Sequence, residues 1–273
     1  MISQIIREKL FGGVKRLKIF YFFISICILT FSIFFINEST SESKSTDKGR
    51  SYYEKKGQVL WEINTDKKII ALTFDDGPHQ KYTPEILDIL AEYNAKSTFF
   101  VIGDNADKNP DVVSRIYKEG HELANHTYTH PLRPSVPKLI KEIKQTRETI
   151  YGISGYSPTL FRPVEGQYTD ELIEAVVKEG YQVVMWSWHM DTLDWKNPGV
   201  NKIVDIVLKG TSPGNVVLFH DGGGNREQTV NALKKILPEL EERGYKFVTI
   251  SELLKVQEAS EYAKGTGKGQ QGQ

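Results

Sequence analysis

The chain has 273 residues, a formal net charge of +0 and a hydrophobic content of 39%. This length accommodates one large domain with extensions or two small domains, and the composition is that of a globular protein. A balanced charge argues against a nucleic-acid partner, because such partners select a basic surface. The single cysteine, Cys27, excludes an intrachain disulfide, so a metal site would have to use histidines and carboxylates.

The amino-terminal segment predicts a membrane anchor. Several basic residues precede an uncharged apolar run at 19–36, which at roughly 18 residues is at the short end for a membrane-spanning helix. Basic residues on this side favour a cytoplasmic amino terminus. A cleaved signal peptide is the alternative, although the run is long for one and residues 37–40 lack a cleavage site between small residues. We therefore expect a cytoplasmic stub and a single-pass signal-anchor at 1–36, with the remainder extracellular; cleavage would instead give a secreted protein.

Polar segments flank the middle of the chain. Residues 38–50 are rich in Ser, Thr, Lys and Glu, which predicts a flexible tether within a lead-in that covers 37–64. Residues 264–273 contain Gly, Lys and Gln with one Thr, a composition typical of disorder. We expect a folded domain at 65–256 and a disordered tail at 257–273.

Strands and helices alternate along the domain. The pattern predicts strands at 69–74, 97–102, 122–125, 159–162, 183–186, 216–220 and 247–248. A helix follows each strand: the first is capped by Thr83 and opened by Pro84, and the others are at 110–119, 137–151, 169–179, 201–209, 229–243 and 251–254, the last of them short. Repeated strand–helix units predict a parallel sheet with helices outside it. About seven such units favour a closed or nearly closed barrel over an open doubly wound sheet.

Polar residues of catalytic types follow the ends of the predicted strands. They are Asp75, Asp76, His126, His130, Arg162, Asp191, Asp194, His220 and Asp221. The carboxyl ends of parallel strands form one face of a barrel, and active sites lie on that face. We therefore expect these residues to converge although they are far apart in the sequence.

His126 and His130 predict a metal site. Their i, i+4 spacing suits one ion if the segment makes a helical turn, and two imidazoles with a carboxylate suit zinc and its neighbours. Two unrelated histidines at this spacing also occur by chance. Asp75 and Asp76 are typical of a turn, because Gly and Pro follow them, but they are equally consistent with one carboxylate on the metal and the other on a water. The residues alone leave both alternatives open.

Five segments resemble, in order, the motifs of the polysaccharide deacetylases of carbohydrate esterase family four. They are residues 73–78 (Thr-Phe-Asp-Asp-Gly-Pro), 126–131 (His-Thr-Tyr-Thr-His-Pro), 162–166 (Arg-Pro-Val-Glu-Gly), 191–195 (Asp-Thr-Leu-Asp-Trp) and 218–221 (Leu-Phe-His-Asp). This family includes chitin, peptidoglycan and nodulation-type chitooligosaccharide deacetylases. The resemblance implies an α/β fold, a distorted (β/α) barrel with seven or eight parallel strands and an active site at the carboxyl ends of its strands.

The resemblance implies a metal centre with a neighbouring base. Asp76, His126 and His130 would hold one divalent ion, with zinc expected and cobalt or nickel as alternatives. Three protein ligands with open positions are the catalytic pattern, and the ion would activate water and polarise the acetyl carbonyl. Asp75 would be the general base, and Arg162 would pair with it and keep it ionised.

The resemblance implies further roles on the opposite side of the site. His220 would protonate the leaving amine, and Asp194 would orient His220 and favour its charged form. The backbone N–H of Glu165 would help to bind the oxyanion. Trp195 and Leu218 would form the walls of the acetyl pocket.

Two features bear on the substrate. The third motif of the family commonly reads Arg-Pro-Pro, then an aromatic or basic residue, then Gly, whereas this chain has Val164 and Glu165. The backbone donor survives this change, but an acidic side chain beside the groove affects substrate preference and the rate. Trp186, Trp188 and Trp195 lie near the expected site, where tryptophans either stack on sugar rings or pack in the core.

The implied function is a membrane-anchored, metal-dependent N-deacetylase of an extracellular glycan. The expected substrate is peptidoglycan or a chitin-like glycan, the expected protein is a monomer at the cell membrane, and no nucleic-acid partner is expected. Two alternatives remain open. One is a related hydrolase of cyclic amides, and the other is a weak or inactive cell-wall glycan-binding protein, which the altered third motif suggests. The sequence does not distinguish N-acetylglucosamine from N-acetylmuramic acid as the substrate.

Overall fold

A computed structural model describes residues 48–267, and their strands and helices alternate as the sequence predicts. The strands are β1 (Val59–Leu60), β2 (Ile69–Asp75), β3 (Ser97–Val101), β4 (Glu122–Asn125), β5 (Leu160–Phe161), β6 (Gln182–Val184), β7 (Val216–His220) and β8 (Lys246–Phe247). The helices are α1 (Arg50–Lys55), α2 (Tyr82–Glu92), α3 (Gly103–Lys108), α4 (Pro110–Lys118), α5 (Val136–Ser154), α6 (Asp170–Lys178), α7 (Val200–Gly210), α8 (Glu227–Glu242) and α9 (Ile250–Gly267).

The sheet is parallel throughout and curls into an incomplete barrel. Its strand order is β1-β6-β5-β4-β3-β2-β7, and β8 pairs with the amino end of β2. Within residues 48–267 the edge strands β1 and β7 do not pair. Loop contacts cross this gap instead: Ile63 N–H, after β1, donates to Gly214 O over 3.1 Å, and Ser187 N–H, after β6, donates to Val216 O over 3.0 Å. The predicted distorted (β/α) barrel with seven or eight parallel strands is confirmed.

Strand β2 forms the centre of the core. All seven of its residues are buried, as expected for a parallel strand that is covered on both faces. The Phe74 ring stacks between Phe99 and Phe219, with ring centroids 5.0 and 5.6 Å away. On the outer layer, α2 buries an apolar stripe that includes Ile86 and Leu90. The carboxyl end of β2 is therefore held firmly, and Asp75 stands at that end.

Residues 48–64 belong to the folded unit, whereas the sequence predicts a lead-in over 37–64 that precedes the domain. Helix α1 buries Tyr53 completely, and Trp61 is only 1% exposed. Strand β1 pairs with β6. The prediction was wrong because a two-residue strand has no periodicity of its own, and its partner lies far along the chain; only tertiary packing makes it a strand.

Two helices also differ from their predicted limits. Helix α2 begins at Tyr82, so Thr83 lies inside its first turn and is not the N-cap; the hydroxyl of Thr83 instead donates to buried Asp221. Helix α9 continues to Gly267, past the predicted end at 254 and into the predicted tail. Buried Leu253 fixes its first turns, and the Glu, Ala and Lys residues that follow favour helix intrinsically.

The remaining predictions about the termini concern residues that the structure does not describe. The anchor at 1–36, the tether up to 47 and the end of the tail at 268–273 lie outside the described residues, and they stay predictions. Across 48–267, no helix combines the length and the apolar character that crossing a membrane requires.

Candidate active site

The carboxyl ends of the strands surround a cavity of about 570 Å³. The predicted site residues line it, with two exceptions: Arg162 and Asp194 are buried behind its wall. The predicted residues in the lining are Asp75, Asp76, His126, His130, Glu165, Trp195, Leu218 and His220. The convergence expected from their positions at strand ends is therefore observed.

Asp76, His126 and His130 form a single group of potential metal ligands. Their ligand atoms all lie within 4.8 Å of one another. Asp76 Oδ1 is 3.5 Å from His126 Nε2 and 3.1 Å from His130 Nε2. One carboxylate oxygen and two imidazole nitrogens directed at a common point make a suitable ligand set for zinc or a similar ion.

The environment of Asp76 tests whether a metal fits. Asp76 Oδ1 is buried, and no group among residues 48–267 donates to it with hydrogen-bond geometry; His130 Nε2 lies 3.1 Å away. A buried carboxylate oxygen without a donor is costly, and a cation would satisfy it. The nearby histidines lower the pKa of Asp76 although burial alone would raise it, so the group is ionised as a ligand must be. The residues therefore fit a divalent metal ion.

His126 is oriented by the strand next to its own. Its Nδ1 lies 2.8 Å from the carbonyl oxygen of Arg162. We assign the Nδ1–H as the donor in this contact, which leaves the lone pair of Nε2 directed at Asp76. Burial lowers the pKa of His126, and a low pKa favours the neutral imidazole that binds metals.

The segment that carries the two histidines is an irregular loop, not the helical turn that the i, i+4 spacing favours. Thr127 and His130 have left-handed φ angles of 69° and 54°, a strain that concentrates at functional sites. Glu142 on α5 holds this loop, because its carboxylate accepts hydrogen bonds from the N–H groups of Tyr128 and Thr129. These hydrogen bonds to α5 replace the local hydrogen bonds that a helical turn would have supplied.

Asp75 is paired with a deeply buried arginine. Arg162 Nη1 donates to Asp75 Oδ1 over 2.7 Å and to Thr73 Oγ1 over 2.9 Å. The other guanidinium donors bind two backbone carbonyls at the end of β6. Arg162 Cζ lies 4.0 Å from the centre of the Phe100 ring. The second oxygen of Asp75, Oδ2, lies 4.0 Å from His126 Nε2. Arg162 thus fixes one carboxylate oxygen and leaves the other facing the metal-ligand group.

His220 stands at the end of β7, beside Asp75 in the register of the sheet, and is paired with buried Asp194. His220 Nδ1 lies 2.7 Å from Asp194 Oδ1, and the backbone N–H of His220 donates to Asp194 Oδ2 over 2.9 Å. Thr229 Oγ1 donates to the same Oδ2 over 2.7 Å. Burial alone would lower the pKa of His220, but the hydrogen bond and the charge of Asp194 raise it to about 9. His220 therefore carries a proton at neutral pH.

Several known proteins resemble this chain in sequence and in fold. The family model for polysaccharide deacetylases matches residues 62–184. A peptidoglycan-N-acetylglucosamine deacetylase of Bacillus cereus is 48% identical over 208 residues, which cover 76% of this chain and 97% of the relative. This chain belongs to the polysaccharide deacetylase family.

Two further relatives support the same assignment. The peptidoglycan-N-acetylmuramic acid deacetylase PdaC of Bacillus subtilis is 38% identical over 201 residues, which cover 73% of this deacetylase and 41% of PdaC. The crystal structure of the Bc1960 peptidoglycan N-acetylglucosamine deacetylase superposes with a TM-score of 0.71 at 37% identity, covering 74% of this chain and 94% of that one. The chain is accordingly a hydrolase of carbon–nitrogen bonds other than peptide bonds.

The tryptophans of the deacetylase separate into two environments. Trp186 and Trp195 line the cavity. Trp188 is 70% exposed and does not belong to the lining, so sugar stacking at this site is not supported for it. The reason is that the chain leaves the cavity after β6: Ser187 N–H already donates to Val216 O, at the start of β7.

Glu165 lies at the rim of the cavity with a left-handed φ of 54°. Its carboxylate accepts a hydrogen bond of 2.8 Å from Gln167 Nε2, and Gln167 Oε1 in turn accepts one of 2.7 Å from Arg133 Nε. The acidic side chain that departs from the family motif is therefore tied to the loop outside the metal-ligand group.

Asp221, which the fifth motif contains, supports the loop that carries Asp76. Its carboxylate accepts a hydrogen bond from Thr83 and packs directly on Gly77, where an added Cβ would lie 2.1 Å from Asp221 Oδ2. Burial raises the pKa of Asp221 to about 7. Position 77 therefore has no space for any side chain.

The structure adds cavity residues that the motifs did not identify as part of the site. Arg226 and Gln167, which lie outside the five motifs, line the cavity, whereas Asp191 lines it as expected from its position after a strand end. Arg226 is only 4% exposed. The available signal in the sequence was a charged residue two positions after three glycines that follow a strand end, but only the fold shows that this residue lines the cavity.

Proposed function

We propose that this chain is a metal-dependent N-deacetylase that hydrolyses the acetamido groups of peptidoglycan amino sugars. The observation that carries the proposal is the presence of two buried ion pairs, Asp75 with Arg162 and Asp194 with His220, at the cavity that the metal-ligand group also lines. The substrates named for its relatives, peptidoglycan glycans, support the choice of polymer.

The metal-ligand group fits one ion, and zinc is our proposal, with cobalt or nickel as alternatives. Asp76, His126 and His130 would hold it. When bound, such an ion supplies Lewis acidity to the acetyl carbonyl and lowers the pKa of water.

Asp75 is the proposed general base. Arg162 occupies Oδ1, so Oδ2 is available to take a proton from the attacking water. The water oxygen bonds to the amide carbon, and the carbon–nitrogen bond then breaks to give acetate.

His220 is the proposed general acid. The hydrogen bond from Nδ1 to Asp194 leaves Nε2 to face the cavity, and the raised pKa keeps its proton in place near neutral pH. That proton passes to the departing nitrogen, which leaves as the free amine.

The cavity wall determines which group can enter. Trp195 and Leu218 provide apolar surface for the acetyl methyl group. The backbone N–H of Glu165 is the proposed donor to the oxyanion, and its left-handed backbone turns this segment toward the cavity.

We propose that the protein is held at the cell membrane by residues 1–36, with the enzyme domain outside the cell as a monomer. The support is the basic segment before the apolar run at 19–36, together with a site built entirely from one chain.

Acetate release tests the proposed function. The full-length protein, with metal supplied, is incubated with purified peptidoglycan, and fragments are analysed by mass spectrometry. We expect amino sugars that have lost one acetyl group and an equal amount of free acetate. Binding to peptidoglycan without acetate release would favour the inactive glycan-binding alternative. Turnover of cyclic amides without turnover of acetylated glycans would favour the second alternative.

A further inference from the structure

Arg226 is a buried cation that the proposed mechanism does not use. It precedes α8, lines the catalytic cavity and is only 4% exposed. A guanidinium has five N–H donors. Among residues 48–267, only Nε of Arg226 has an acceptor, the carbonyl oxygen of Gly222 at 2.6 Å, and no carboxylate pairs with the side chain. Buried charges are normally paired, whereas this cation has no anionic partner among the described residues.

The loop in front of Arg226 leaves its guanidinium uncovered on the cavity side. Positions 222–224 are all glycine, and Gly223 and Gly224 have φ angles of 72° and 142°. A Cβ on Gly223 would lie 3.3 Å from Arg226 Nη2 and 2.7 Å from Asp76 Oδ2. Because these positions have no side chains, nothing on the loop separates the guanidinium from the cavity near Asp76 Oδ2.

Arg162 shows what a structural arginine looks like in this same barrel. It is fully buried, and its guanidinium donates to Asp75, to a threonine hydroxyl and to two backbone carbonyls. The guanidinium of Arg226 is almost as buried but has one such contact. Its free edge presents a planar pair of donors, which is the geometry that binds a carboxylate with two parallel hydrogen bonds.

We propose that Arg226 binds a carboxylate of the glycan substrate and makes this deacetylase prefer muramic acid-containing strands over uncharged N-acetylglucosamine polymers. The inference rests on the proposed function. Two carboxylate sources share this chemistry: the free lactyl group of a muramic acid without its peptide, and the carboxylates of an attached stem peptide. An N-acetylglucosamine oligomer has neither.

Matched substrates test this preference in the full-length, metal-loaded protein. They are an alternating N-acetylglucosamine–N-acetylmuramic acid tetrasaccharide with free lactyl carboxylates, the same tetrasaccharide with each lactyl group converted to its methyl amide, the same glycan with stem peptides, and an N-acetylglucosamine tetramer. We expect kcat/KM for acetate release to be about ten- to a hundredfold higher with the carboxylate than with its methyl amide, the effect of one charged hydrogen-bonded pair. Added salt should reduce this ratio.

Arg226→Gln should remove most of the preference, mainly through KM, and Arg226→Lys should retain part of it. Arg243→Gln is the matched control, because Arg243 pairs with Glu239 on the outside of α8; it should leave the preference ratio intact. Preference for the free lactyl form or for the peptide-bearing form identifies which carboxylate source Arg226 binds.

An equal loss on all four substrates in Arg226→Gln would overturn the proposal, because it would mean that Arg226 supports the fold or the metal site. Thermal melting and metal content would reveal such a role. Calorimetric binding of the carboxylate and methyl amide tetrasaccharides gives the same comparison without turnover. A wild-type protein that binds the carboxylate form preferentially but releases no acetate would therefore contradict the proposed function and leave the role of Arg226 supported.

Discussion

Two buried carboxylates, Asp75 and Asp194, are each paired with a cation at the cavity, and the two cations differ. Asp75 is paired with Arg162, and Asp194 is paired with His220. An arginine cannot release its proton in a protein, whereas a histidine can. Similar ion pairs thus suit opposite chemistry: in one pair the carboxylate is the proposed base, and in the other the cation carries a transferable proton.

The carboxylate oxygens of the two pairs are also used differently. Asp75 has Oδ1 bound by Arg162 and Oδ2 directed at the metal-ligand group. Asp194 uses both oxygens for His220, and Thr229 donates to one of them. Asp75 is therefore placed to react, while Asp194 positions its partner.

The largest effect is expected at the proposed base. Asp75→Asn should lower kcat by roughly 10²–10⁴-fold, because the amide cannot take the proton from water. Metal content, measured by atomic absorption, should stay near the wild-type level, since Asp76, His126 and His130 are unchanged. A variant that keeps wild-type turnover would remove the distinction between the two pairs.

Arg162→Met tests the permanent cation. It should lower the free energy of unfolding by about 3–5 kcal/mol, because Asp75 and two backbone carbonyls would be left buried without their donor. Denaturant unfolding measures this loss. The control is Arg115→Met, whose ion pairs are near the surface and should contribute about 0–1 kcal/mol. Equal losses in the two variants would contradict the structural role of Arg162.

Asp194→Asn tests the titratable cation through pH. The folded pKa of His220 is raised from 6.5 to about 9, so wild-type kcat should fall as pH rises through about 9, where the acid loses its proton. The stabilising contribution of the pair is fully present below pH 6.5 and is lost over the same rise. Without Asp194 the largest raising influences on the pKa of His220 are lost, and only the charges of Asp75 and Asp76 still oppose the effect of burial, so the alkaline limb should move toward neutral pH. An unmoved limb would assign the titration to another group.

Thr229→Val should have the smallest effect. It removes one of three donors to Asp194, a change of about 1 kcal/mol in unfolding free energy. Because the remaining charge of Asp194 then acts more strongly on His220, the alkaline limb should move slightly to higher pH. Thr211→Val is the control: its hydroxyl binds Val207 O on α7, so the variant affects stability without changing the pH profile.

The sequence alone predicted the strand–helix alternation and the residues that meet at the strand ends. Helices α2, α4 and α8 and the central strand β2 have enough residues for periodicity and turn signals to be read locally. The five motifs indicated the family, which the comparisons confirm. Their residues converge because parallel strands place all their carboxyl ends on one face. The roles assigned to these residues stay predictions.

Tertiary structure alone decided the features that depend on distant partners. Strand β1 exists because β6 pairs with it, and the loop of His126 and His130 keeps its shape because Glu142 on another helix binds it. The same holds for the two arginines of the cavity: their sequence neighbours do not show that Arg162 is saturated with acceptors while Arg226 has one. Local patterns determine periodicity, but burial and hydrogen-bond partners arise only when remote segments pack together.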